Sequence, residues 1–213
     1  MSVLIHIGDE ALSRLEQLGL KDEWFRRALL RGDAESRTVS PLAPKGFEGT
    51  TRWGRSAEFL REELCANRWL PDDFQNIARS VHPAGEFCIV VTTGGVGTGR
   101  EEAHPFTKYP KGSGIAACVE SNYVIDFDPE DLAKLGIPPT VKDSVITWFL
   151  LFTVEDNQIW SELSLPEAIS ADGQIISWVE RILFPPIDLG PNEPVSGGFT
   201  KPMDPVDVPV SRR

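Results

Sequence analysis

Leu12, Leu15 and Leu18 recur at helical spacing between Asp9 and Leu20, and Gly19 offers a left-handed stop. The pattern resumes from Lys21 to Leu30, where Trp24, Phe25, Ala28 and Leu29 share one face, so the start of the chain predicts a short helical hairpin. Between Arg31 and Gly54 no period is sustained. Gly32, Pro41, Pro44, Gly46, Gly49 and Gly54 interrupt it, and the expectation is a long surface loop. Ser56 to Ala66 predicts a helix capped by Ser56, with Phe59, Leu60 and Leu64 on its buried side. Pro71-Asp72-Asp73 predicts a further helix to about Val81. Its two carboxylates would favour the positive end of the helix dipole, with Phe74, Ile77, Ala78 and Val81 turned inward.

Beyond residue 82 the pattern changes from helical spacing to short runs of β-branched and aromatic residues. Strands are expected at Phe87–Thr92, Ile115–Val119, Tyr123–Phe127, Val145–Val154, Ile159–Leu165 and Ile175–Val179. Pro129 to Leu135 interrupts them with a helical turn, while Asn157 and Asp172-Gly173 mark reversals. Helices first and strands afterwards predict an α+β fold. An N-terminal helical part (1–82, with the loop at 31–54) would pack on a mainly antiparallel β-rich part (83–184). Seven prolines and three glycines after Phe184 predict an extended Pro-rich C-terminal arm over 185–213.

Composition narrows the function classes. Of 213 residues, 21 are basic and 32 acidic, a net charge of −11, which disfavours binding to a free nucleic-acid backbone. The excess is concentrated after residue 80, where 9 basic side chains face 19 acidic ones. Three cysteines, Cys65, Cys88 and Cys118, form no CxxC pair, so a reducing, cytoplasmic setting is expected. The longest apolar block, Ile146 to Val154, is too short for a membrane span. His6, His82 and His104 are scattered without metal-ligand spacing, and neither a metal nor a cofactor is indicated.

The stretch with the most chemical character runs from Ile89 to Arg100, an apolar strand leading into Gly94, Gly95, Gly97 and Gly99. Glycines there let backbone amides turn toward an anion. The phosphate-loop pattern is incomplete, because Arg100 and Glu101 stand where Lys and Ser/Thr are needed; the spacing GxGxG also departs from the dinucleotide GxGxxG. Thr92-Thr93-Gly94-Gly95-Val96-Gly97 resembles the TTGGxG strand end of molybdopterin-binding domains, in which the glycines approach a pterin phosphate. That resemblance spans about a dozen residues, with Glu101-Glu102 near the family's Asp, and lacks the family's surrounding α/β alternation.

Downstream, Lys108 and Lys111 join Arg100 in the one basic cluster of the acidic part. An anion site would draw on Gly94, Gly95, Gly97, Gly99, Arg100, Lys108 and Lys111, with His104 or Glu162 as candidate acid or base. Alternatively, the segment is a structural connection, and Glu162 sits on a solvated face or pairs with Arg181. Three functions follow as expectations. The first is a soluble protein-interaction or regulatory protein that engages a protein partner or a second copy of itself through the acidic part and the arm. The second is an enzyme or sensor for a nucleotide-like or other phosphorylated small anion at Gly94–Gly114. The third is an acidic inhibitor of a basic or nucleic-acid-binding protein.

Overall fold

The computed structural model of the chain describes residues 3–124 and 145–190. The described elements are β1 (Leu4–His6), α1 (Gly8–Gln17), α2 (Asp22–Arg37), α3 (Phe47–Ala66), β2 (Leu70–Phe74), β3 (Ile77–Val81) and β4 (Phe87–Thr93). They continue with α4 (Ser113–Val124), β5 (Ile146–Glu155), β6 (Gln158–Ile169), β7 (Ile175–Leu183) and β8 (Ile187–Asp188). The eight strands form one mixed sheet in the order β1-β7-β6-β5-β4-β3-β2, with β8 pairing the start of β6. β4 runs parallel to β5 and β1 parallel to β7, and the other pairs are antiparallel. The α+β class and the helices-then-strands order are therefore present in the structure. The helical turn expected at 129–135 and the arm beyond Gly190 lie outside the described residues.

Both faces of the sheet are covered. On one face Leu15, Phe25, Leu29, Phe59, Leu60 and Leu64 of α1, α2 and α3 pack on Ile89, Val91, Trp148, Leu150, Phe152, Leu163 and Ile182. On the other, Cys118 and Val119 of α4 meet Ile77, Val90, Phe149, Leu151, Ile175 and Trp178. Consecutive side chains of β5 thus alternate between two buried layers, which is why Trp148–Phe152 reads as one unbroken apolar run. α4 is fastened to the entry of β5 by Asn122, whose amide donates to the Thr147 carbonyl at 3.1 Å and accepts from the Thr147 N–H at 2.8 Å. Among the described residues, no helix is long and apolar enough to cross a membrane.

Three local expectations are overturned. The helix expected from Pro71 to Val81 is the β2–β3 hairpin. Gln75 (φ 50°) and Asn76 (φ 64°) both adopt left-handed conformations at its two-residue turn, and Asp72 is an ion-pair partner of Arg79 directly across the strands rather than a helix-dipole carboxylate. A turn without glycine concealed the reversal. The strand expected at Ile115–Val119 belongs to α4, as do the first residues of the strand expected at Tyr123–Phe127, whose remainder lies outside the described residues. Cys118 and Val119 lie three and four positions after Ile115, the spacing of one helical face, and in so short an apolar run this competes directly with β-branching.

The loop expected at 31–54 is mostly helix, since α2 continues to Arg37 and α3 begins at Phe47. Gly32 is not a breaker here. A Cβ at Gly32 would stand 2.1 Å from Ser56 Oγ and 2.8 Å from the Ser56 nitrogen, so glycine permits α2 and α3 to cross closely. Buried Asp33, one residue on, ties the two helices together by accepting from Arg52 Nε of α3 at 2.9 Å, and it also accepts from Arg37 Nε of its own helix at 2.6 Å.

Candidate functional site

The pairing of β3 with β4 ends at Arg79–Val90, so Val91, Thr92 and Thr93 run on past their neighbour while β5 still pairs them on the other side. On the open flank, Trp53 Nε1 donates to the Val91 carbonyl at 2.9 Å, and the Lys108 N–H donates to the Thr93 carbonyl at 3.0 Å. A crevice of about 540 Å³ occupies this flank. Its floor is the end of β4 with Phe149, Phe152, Thr153 and Val154 of β5. Its walls are the start of α3 from Gly46 to Ala57, the turn at Asn76–Ala78, and Lys108, Tyr109, Lys111 and Ile115. Open sheets with parallel strands bind ligands at such carboxyl ends, where the strand order leaves a gap.

The charge on these walls has one sign. Among the described residues no Asp or Glu lines the crevice. Arg52 does, but it is already held by Asp33 and Glu48, leaving Lys108 and Lys111 as cations without an ion-pair partner among the described residues. Lys111 Nζ donates to Thr92 Oγ1 at 2.5 Å, and burial lowers the pKa of its ammonium. Lys108 is exposed at the rim, with Nζ 5.7 Å from the centroid of the Tyr109 ring. Lys111 is held at its backbone as well, where its N–H donates to the Gly173 carbonyl at 2.7 Å in the turn between β6 and β7.

The glycine-rich segment stands apart from this crevice, since Gly94, Gly95, Gly97, Gly99 and Arg100 are not among its lining residues. The Gly94 and Gly95 amides donate to the carbonyls of Phe152 (2.9 Å) and Phe106 (2.7 Å). The Gly99 amide does turn toward an anion, and that anion is Glu162, whose Oε2 accepts it at 2.7 Å. With φ at +72°, Gly99 also lies so close to β6 that a Cβ would come within 2.9 Å of the Ser161 nitrogen.

Glu162 is completely buried and receives three further hydrogen bonds, from Ser164 Oγ at 2.8 Å, Arg181 Nε at 3.1 Å and Arg181 Nη2 at 2.6 Å. Arg181 in turn donates to the carbonyls of Ala103 and Arg100, at 2.8 and 3.0 Å. This buried pair clamps the loop to the sheet. The pairing of Glu162 with Arg181 is therefore present, and the solvated face is not. Arg100 itself leans over the Trp160 ring, 4.4 Å from its centroid, and pairs with Glu155 at 3.0 Å. His104 is exposed on the loop, outside the crevice.

Of the residues singled out in the sequence, Lys108 and Lys111 line the crevice, and Gly94, Gly95, Gly97, Gly99, Arg100, His104 and Glu162 do not. Trp53, Thr50 and Asn76, which also line the crevice, were not singled out. Trp53 and Thr50 fall in the segment read as loop, and Asn76 in a turn read as helix. The helical periodicity around Thr50 and Trp53 was masked by Gly46, Gly49 and Gly54. Among the described residues no cluster of three or more His, Cys, Asp or Glu is arranged to hold a metal. Cys65 is exposed, whereas Cys88 and Cys118 are buried, and desolvation pushes the Cys88 thiol up to about 11. No known protein-family model, curated protein or solved structure matches the chain.

Proposed function

We propose that the protein binds a small organic anion, a carboxylate or phosphate on an apolar or aromatic body, in the crevice beside the ends of β4 and β5. The observation that carries this reading is the pairing of apolar walls with Lys108 and Lys111 and, among the described residues, no lining carboxylate, in a chain whose net charge is −11. The volume, about 540 Å³, suits a ligand of ten to twenty heavy atoms, roughly speaking. Trp53, Phe149 and Phe152 supply the apolar contact, the hydroxyls of Thr50 and Thr92 supply orienting hydrogen bonds, and the two ammonium groups supply the charge complement. Acid–base chemistry by Glu162 has no place in this reading, because all four of its hydrogen bonds are spent on the protein itself.

Thermal unfolding with benzoate, phenyl phosphate and nucleoside monophosphates tests it. A ligand at about 100 times its Kd stabilises the native state by about 2.7 kcal/mol, and the midpoint rises accordingly. The rise is expected to disappear in Lys108→Met/Lys111→Met. A parent protein whose midpoint ignores every anion in the panel refutes the proposal.

A second reading, association with a protein partner or a second copy, draws on Leu4, Ile7 and Leu12, three exposed apolar side chains along β1 and the start of α1 at the sheet edge. Sedimentation of the parent and of Leu4→Lys/Leu12→Lys across a hundredfold or so concentration range tests self-association. Identical monomer profiles for both proteins would remove that arm of the reading.

A further inference from the structure

Lys111 differs from the other lysines in its surroundings. Among the described residues the chain has four, Lys21, Lys45, Lys108 and Lys111, and Lys111 alone is not exposed. Its main chain is fixed by the bond to Gly173, and its amine is fixed by the hydroxyl of Thr92, which is itself buried in β4. The amine therefore sits at a defined point of the crevice with the space of the cavity before it. Burial, with no carboxylate partner among the described residues, shifts the amine toward its neutral form, which is the reactive one. Desolvation in an apolar pocket is one arrangement by which proteins activate a lysine amine as a nucleophile.

We propose that Lys111 forms a reversible imine with an anionic carbonyl compound, an aldehyde or 2-oxoacid, whose anionic group is held by Lys108. This rests on the reading of the crevice as an anion site and adds the ligand's reactive group. The Lys111 nitrogen lone pair attacks the carbonyl carbon, and the carbonyl electrons pass to oxygen, which takes up a proton. Nitrogen loses a proton, the hydroxyl leaves as water after a second protonation, and the C=N bond closes as nitrogen releases its second proton. One amine and one carbonyl give one imine and one water, with no oxidant or reductant. Thr92 Oγ1, 2.5 Å from Lys111 Nζ, accepts a hydrogen bond from the attacking amine and is placed to pass a proton between nitrogen and oxygen.

The test uses the full chain at neutral pH with 4-carboxybenzaldehyde and cyanoborohydride, which reduces an imine to a stable secondary amine, followed by peptide mapping. Lys21 and Lys45 serve as references within the same molecule. Lys111 is expected to acquire the carboxybenzyl group at least about tenfold faster than either, and benzoate is expected to slow Lys111 alone. In Lys111→Arg the fast labelling vanishes, while Lys21 and Lys45 label as before. If benzoate raises the unfolding midpoint but Lys111 labels no faster than Lys21, the nucleophile is overturned and the anion site stands. If benzoate neither raises the midpoint nor protects Lys111, both readings fall.

Discussion

Glu162→Gln isolates the role of the buried clamp. The substitution keeps the side chain's shape but removes its charge, and it replaces one acceptor oxygen by an NH2 group. Every contact of Glu162 comes from a donor: the Gly99 amide and Arg181 Nη2 at one oxygen, Ser164 Oγ and Arg181 Nε at the other. A glutamine must therefore set donor against donor at one position, and it leaves a guanidinium that is 2% exposed without a counter-charge. Breaking a buried pair from one side costs about 3–5 kcal/mol. For a chain of 213 residues each kcal/mol lowers the midpoint by about 2–4 °C, so a fall on the order of 10 °C is expected.

Urea unfolding followed by tryptophan fluorescence measures this cost, and the double variant Glu162→Gln/Arg181→Met provides the control. With the charge gone from both sides, the double variant should lose less than the sum of the single losses by about 2 kcal/mol. Benzoate binding well below the unfolding midpoint should survive in Glu162→Gln, because Lys108 and Lys111 are held independently through Thr93, Thr92 and Gly173. A Glu162→Gln protein within about 1 kcal/mol of the parent would refute the clamp. Full stability together with lost ligand response would return Glu162 to the candidate chemistry.

Gly32→Ala should destabilise by about 2 kcal/mol in the same urea assay, since a Cβ would stand 2.1 Å from Ser56 Oγ; a gain of about 1 kcal/mol, as expected for an open helical glycine, would contradict the close α2–α3 crossing. Cys88 holds its proton to about pH 11 when buried, against 9.0 when free, so the native state binds more protons than the unfolded state between those values. The resulting stabilisation is complete below pH 9.0 and is lost as pH rises through about 11, by up to about 3 kcal/mol. Stability of Cys88→Ala should decline less steeply over this window, and parallel curves for the two proteins would oppose the assignment. Gly173→Ala adds a Cβ 3.0 Å from the Lys111 carbonyl at a φ of +79°, so it should weaken benzoate binding by several-fold or about 1 kcal/mol; unchanged affinity would show that the turn does not position Lys111.

Elements whose own residues carry a strong period were legible along the chain. α1, the first half of α2, the second half of α3 and strands β4 to β7 all fall where leucine spacing or β-branched runs place them, because burial of one face is written into a single local segment. Where two periods fit a short segment, tertiary contact chose between them. Ile115–Val119 is helical because Cys118 and Val119 pack under the sheet, and the stretch from Pro71 to Val81 is a hairpin because Arg79 meets Asp72 across it.

The candidate site divides in the same way. Lys108 and Lys111 were visible as the basic cluster of an acidic region, since charge is a property of the residues themselves. Only the fold showed that the Gly99 amide is turned to Glu162, a carboxylate more than sixty positions later in the chain. The same holds for Trp53 of α3 and Thr92 of β4, which reach one crevice with the lysines because the pairing of β3 with β4 ends before β4 does. Local composition thus determined which residues bear charge and which segments must be buried. Which charges neutralise one another, and which are left facing open space, depended on contacts between distant segments that no single segment encodes.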